Sequence, residues 1–207
     1  LTVGLGTLVG IISSIFRSGE LGKRNLVAPV RSRTLALQIA AGCGVAAVAS
    51  VVWVALLSFI PVIDGLELIQ SSPAAFGLLM GDVLVFTLVA VAIGFFLGQL
   101  GLRTAALNGA ANILGLGMTF LSGAFGLVSA GLEGFTRCLP AYWYANALET
   151  VAMAGSITPA VMATYWTDLG IQALFAVAIG CVGLVVARLR SQTAEQGGNA
   201  AALVEEI

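Results

Sequence analysis

The sequence predicts an all-α fold: a polytopic integral membrane helix bundle with about five transmembrane helices, the last five of six. Three observations predict it. Charged residues make up 9% of the chain, against roughly 25% in soluble domains, too few to cover a globular surface with groups that water accepts. Hydrophobic residues make up 59%, gathered into long runs near the roughly 20 residues a span requires. The basic residues between those runs are asymmetric, as cytoplasmic loops require.

The runs come in order. Residues 1–16 form a short apolar segment. It starts at Leu1 without Met or a basic flank, which leads to the expectation of one further helix upstream. Residues 34–60 form the second run, closed by Pro61, and residues 73–100 the third. Residues 107–128 form the fourth, and residues 169–187 the last. Five segments make the connections alternate between the two sides of the membrane. On that alternation eight of the nine Lys and Arg residues fall on one side. The loop at 17–33, the turn holding Arg103 and the C-terminus are therefore expected in the cytoplasm. The connections at 61–72 and 129–168 are expected outside. Residues 1–190 read as one transmembrane domain. Residues 191–207, polar and Gly-containing, read as a disordered cytoplasmic tail.

The residue types exclude several chemistries. The sequence has no histidine, no phosphate-binding GxxxxGK[ST], no HExxH and no GxSxG. No catalytic residue and no metal site are expected, and no basic cluster is dense enough for nucleic acid. Cys43, Cys138 and Cys181 lack metal-ligand or CxxC spacing and read as structural thiols.

Four features remain. In the loop at 17–33, Glu20, Lys23 and Arg24 precede an apolar stretch broken by Pro29 and followed by Arg31. This reads either as a positive-inside anchor or as a docking surface for a cytoplasmic partner. In the fourth run Asn108, Asn112, Gly115, Thr119, Ser122 and Gly126 recur at three- and four-residue steps and share a face. In the first run Thr2, Gly6, Gly10, Ser13 and Arg17 do the same, and Gly94 with Gly98 adds a second GxxxG. Each stripe reads as helix packing, a pathway lining or a dimer seam. Asp82 is the one acid read as lying well inside a span, with no intramembrane Lys, Arg or His to pair with. It reads as an outer-leaflet polar contact or as a proton- or cation-coupling group. Finally Pro140, Tyr142, Trp143 and Tyr144 lie in an outer connection, where they form an aromatic belt or a segment that dips into the membrane and returns.

The order of these features resembles the permease subunits of type-2 ABC exporters (the ABC-2 class). The residues that carry the resemblance are Glu20 with Ala28-Pro29-Val30, Leu121-Ser122-Gly123-Ala124-Phe125, and Leu139-Pro140-Ala141-Tyr142-Trp143-Tyr144. It covers nearly all of residues 1–190. Where such permeases often have a Pro and an acidic residue after the Leu-Ser-Gly motif, this chain has residues 126–132 instead. The resemblance implies a six-helix subunit of a plasma-membrane exporter that works as a homo- or heterodimer in the lipid bilayer. ATP and Mg would bind a separate ABC ATPase subunit, and no cofactor would bind this chain. It further implies that Glu20, Lys23, Arg24, Pro29 and Arg31 couple to the ATPase. Gly6, Gly10, Ser13, Asn108, Asn112, Thr119 and Ser122 would line the pathway or dimer seam, and Pro140, Tyr142, Trp143 and Tyr144 would belong to an outer re-entrant region. Two other readings stand beside it: an ion- or proton-coupled secondary transporter using Asp82, and a membrane partner that transports nothing.

Overall fold

The computed structural model describes residues 32–57, 59, 72–122 and 133–205. Among the described residues all regular structure is helical: α1 (Ser32–Leu57), α2 (Pro73–Gln99), α3 (Thr104–Leu121), α4 (Glu133–Thr136), α5 (Pro140–Ala152) and α6 (Pro159–Glu205). Three stretches are long and apolar enough to cross a membrane: α2, α3 and the Pro159–Arg190 part of α6. Within α1 the apolar stretch Gly44–Leu57 is shorter. The first expected span, residues 1–16, lies outside the described residues.

The distribution of polar and apolar residues is that of a membrane protein. Leu174, Val177, Val182, Leu184, Val185 and Leu189 of α6 are all more than half exposed. The buried set includes Asp82, Thr87 and Gln99 of α2 and Asp168 and Gln172 of α6, each at most 2% exposed. Apolar groups face outward and polar groups face each other. That order suits a solvent that offers no hydrogen bonds.

Helix α2 is the hub, touching α1, α3, α5 and α6. Pro73 starts it at a position where the missing N–H would have no helical partner. Its longest contact is with α6, and two glycines permit it. A Cβ on Gly183 would come within 2.9 Å of the Phe95 ring, and one on Gly81 within 2.9 Å of the Tyr165 hydroxyl. Small residues at such crossings let two backbones approach closely, the main route to helix association in lipid. Gly94 and Gly98, the GxxxG pair of α2, are both buried. On the other side Leu97 packs with Leu107 and Ala111 of α3. A second cluster joins Ala75 of α2, Ala147 and Val151 of α5, and Tyr165 and Leu169 of α6.

The structure corrects one boundary. Helix α6 begins at Pro159, ten residues before the start expected from hydropathy. The cause is local. Thr158 Oγ1 accepts a hydrogen bond from the Val161 N–H at 3.4 Å, and Pro159 occupies the first helical position. Asp168, expected in a loop, is therefore inside the helix and buried. The backbone is also helical through 191–205, where composition predicts a disordered tail.

The turn between α2 and α3 is held from a distance. Gly101 follows the end of α2 with φ +66°, the left-handed conformation common just past a helix. The Arg190 guanidinium lies directly over it, and Arg190 Nη1 donates to the Gln99 carbonyl at 2.7 Å. A side chain at 101 would thus meet both a strained backbone and the guanidinium. Gly101→Ala is expected to destabilise the protein by about 1 kcal/mol or more from the backbone alone. Arg190→Ala should lower the midpoint as well, and Gly101→Ala on that background should lose less than it does alone. Thermal unfolding in detergent checks all three variants.

Candidate functional site

Two adjoining features bring chemistry-bearing residues together. The first is a cavity of about 820 Å³ between α1, α2, α3 and α5. The second is a buried polar layer between α2, α5 and α6.

One wall of the cavity is the C-terminal half of α3, which contributes Gly115, Thr119 and Ser122. The opposite wall is α5, which contributes Tyr142, Tyr144 and Glu149. Helix α5 has 13 residues, about 20 Å of helix against the roughly 30 Å of a bilayer core, so it is too short to span. Pro140 starts it, and Trp143 Nε1 donates to the Arg137 carbonyl at 2.9 Å, folding the preceding turn back onto it. Tyr144 stacks on Phe86 of α2 with centroids 4.5 Å apart and planes 22° apart, which fixes α5 against the hub.

The serine and threonine hydroxyls of this cavity share one property. Ser50 donates to the Ala46 carbonyl at 3.0 Å, Thr87 to Val83 at 2.7 Å, Thr119 to Gly115 at 2.7 Å and Ser122 to Thr119 at 2.8 Å. Each hydroxyl proton is committed to its own helix, as is usual for Ser and Thr in apolar surroundings. The α1, α2 and α3 walls therefore offer an occupant methyl groups and oxygen lone pairs. The amide and carboxylate groups in the lining, Asn146 and Glu149, sit together on α5.

The expected residues separate accordingly. Thr119, Ser122, Tyr142 and Tyr144 are brought to one cavity. Pro140 is buried at the start of α5 and Trp143 is half-buried. Asn108 and Asn112 are exposed near the N-terminal end of α3, away from that lining, so the polar stripe divides between a cavity wall and an outer face. Gly6, Gly10, Ser13, Glu20, Lys23, Arg24, Pro29 and Arg31 lie outside the described residues. Asp82 does not line the cavity.

Asp82 belongs to the polar layer. Gln172 Nε2 of α6 donates to Asp82 Oδ1 at 2.8 Å, and both side chains are 0% exposed. One turn earlier on α6, Asp168 Oδ2 accepts from Asn146 Nδ2 of α5 at 2.7 Å. Next to it the Tyr165 hydroxyl donates to the Leu78 carbonyl of α2 at 2.8 Å. Asp82 thus has a partner, a neutral amide, where only charged partners were sought. The contact is fully buried between α2 and α6. Asn146, Tyr165, Asp168 and Gln172 are the residues the sequence reading missed. The available signal was the 165, 168, 172 spacing, one polar face on an otherwise apolar helix. Among the described residues no cluster of three His, Cys, Asp or Glu side chains could hold a metal ion.

Asn146 lines the cavity and also anchors the polar layer. Asn146→Ala is expected to leave the Asp168 carboxyl without that donor and to destabilise the protein by about 1–3 kcal/mol. Thermal unfolding checks it, with Leu148→Ala on the exposed side of α5 expected to cost less. No protein-family model, curated protein or solved structure matches the chain.

Proposed function

We propose that the chain is the membrane-spanning subunit of an ATP-driven ABC-type exporter, a permease that forms its translocation pathway with a second subunit while a separate ATPase hydrolyses ATP. The observation that carries this reading is the cavity, where the small and hydroxyl residues of α3 face the aromatic segment of α5. Ser122 belongs to one of the three segments on which the resemblance rests, and Ala141, Tyr142 and Tyr144 belong to another. On this reading the chain is multi-pass in the plasma membrane, with its C-terminus and the 17–33 loop in the cytoplasm. Closure of the ATPase pair pushes on that loop through Glu20, Lys23, Arg24, Pro29 and Arg31. The push shifts the bundle between inward- and outward-open states as a rigid body. The exposed amides of Asn108 and Asn112 would be costly against lipid and suit a face covered by the second subunit. An occupant turns its apolar part to the α1–α3 walls, which hold no unused serine or threonine proton, and its polar part to Tyr142, Tyr144, Asn146 and Glu149 of α5.

An ion- or proton-coupled secondary transporter using Asp82 needs that carboxyl on the pathway, and Asp82 lies off the cavity, where Glu149 is the carboxylate in the lining. That placement favours the exporter over a transporter coupled through Asp82. A partner that transports nothing gives the cavity no role.

Purification of the full-length protein from its native membranes in gentle detergent tests the proposal. A soluble ATPase is expected to co-purify stoichiometrically and to be lost when Glu20→Ala, Lys23→Glu and Arg24→Glu are combined. Thr119→Trp with Ser122→Trp should keep the ATPase and lower export by tenfold or more, by filling the cavity. Absence of any ATPase from the intact protein would overturn the reading.

A further inference from the structure

The pairing of Asp82 with Gln172 is incomplete in an informative way. Their single hydrogen bond runs from Gln172 Nε2 to Asp82 Oδ1. The second oxygen of each side chain, Asp82 Oδ2 and Gln172 Oε1, is buried and without a hydrogen-bond partner. Both orphans are acceptors. An ionised carboxylate can only accept, and an amide oxygen can only accept, so the pair as it stands lacks one donor. Buried unpaired acceptors are rare because each loses its hydration without return.

Among the described residues no cation answers them. The ionisable groups that interact electrostatically with Asp82 are Asp168 and Tyr165 of α6 and Tyr144 of α5, none of them basic. Of the other helices packed on α2, α3 and the Gly44–Leu57 part of α1 carry no ionisable side chain. On α5, Tyr142 and Glu149 line the cavity instead.

A carboxylic acid and a primary amide form a cyclic pair in which the amide N–H donates to one carboxyl oxygen and the carboxyl O–H donates to the amide oxygen. The first of these two bonds is present, and the two atoms needed for the second are the two orphans. We propose that Asp82 and Gln172 form a proton-binding site between α2 and α6, in which one proton on Asp82 Oδ2 closes this cyclic acid–amide pair. Bound, it leaves the interface neutral with every polar atom of the pair matched. Released, it leaves a bare carboxylate at a fully enclosed position and loosens α2 from α6. The site is independent of the exporter reading, since it lies off the cavity.

Infrared spectroscopy of the purified, folded chain tests it. At neutral pH a carboxylic-acid carbonyl band is expected that shifts in D2O, persists in Asp168→Asn and is absent in Asp82→Asn. The asparagine variant should keep the wild-type thermal midpoint, because its amide closes the same ring with Gln172, whereas Gln172→Leu should lower it. Raising the pH from about 5 to about 9 should lower the wild-type midpoint more than that of Asp82→Asn, because the folded wild type holds a proton that the unfolded chain releases. The chain has three aspartates, Asp64, Asp82 and Asp168. If Asp82→Asn does not fold, a 13C-aspartate-labelled Asp64→Asn, Asp168→Asn chain reports Asp82 alone. Absence of a protonated Asp82 band overturns the proposal. So does a sodium-dependent rise in midpoint that requires Asp82, which would make the pair a cation site.

Discussion

The buried carboxylates of this protein take their partners from neighbouring helices, Asp82 from Gln172 and Asp168 from Asn146, and the bundle depends on that matching. In hydrocarbon the hydrophobic effect cannot drive helices together, since lipid tails are as apolar as leucine. What remains is close packing and the matching of polar atoms. Helices α2 and α6 use both. Gly81 and Gly183 bring the backbones close. Three hydrogen bonds then cross the interface: Tyr165 to Leu78, Gln172 to Asp82, and Arg190 to Gln99. Two of these bonds lie one turn apart in the N-terminal half of α2, at Leu78 and Asp82, and the third lies at its C-terminal end, at Gln99, so α6 is held against both halves of α2.

The cavity follows from that arrangement. Helix α2 meets α6 along its longest contact and also touches α1, α3 and α5, and α5 in turn packs on both α6 and α3. Helix α5 is too short to fill a span's length of groove, and its aromatic side chains stop against Phe86. The space left between α5 and α3 is the cavity. Its α1–α3 walls are quiet in hydrogen-bonding terms because their serine and threonine hydroxyls bond their own helices. The polar layer lies immediately behind it, with Asn146 reaching both.

Much of the helix placement was legible in the sequence. Ends of the runs at 34–60, 73–100 and 107–128 fall within a few residues of α1, α2 and α3, except where α3 stops at Leu121 and residues 123–132 lie outside the described residues. Hydropathy carries this, because lipid-facing residues must be apolar whatever they pack against. The start of α6 was not legible that way. Thr164, Thr167 and Asp168 dilute the apolar run, and the signal that sets the boundary is the Thr158-Pro159 cap. The cavity was partly legible: the period of Gly115, Thr119 and Ser122 marked one face, but nothing local told that Asn108 and Asn112 would part from them. The partner of Asp82 was hidden for a simpler reason. A neutral amide 90 residues away has no charge to draw attention, and the pairing depends on how two helices cross.

Sequence separation gives the α2–α6 interface a consequence for biogenesis. Its three crossing bonds join residues 87, 90 and 91 positions apart. At translation rates of roughly 5–20 residues per second, α2 is made on the order of ten seconds before α6 can meet it. During that interval Asp82 has no Gln172 and the Gln99 carbonyl has no Arg190. A helix carrying an acid must therefore wait, shielded by something other than its final neighbour, until α6 has been made. The arrival of Arg190 over Gly101 completes the three crossing bonds, so the α2–α6 interface closes only once synthesis has passed residue 190.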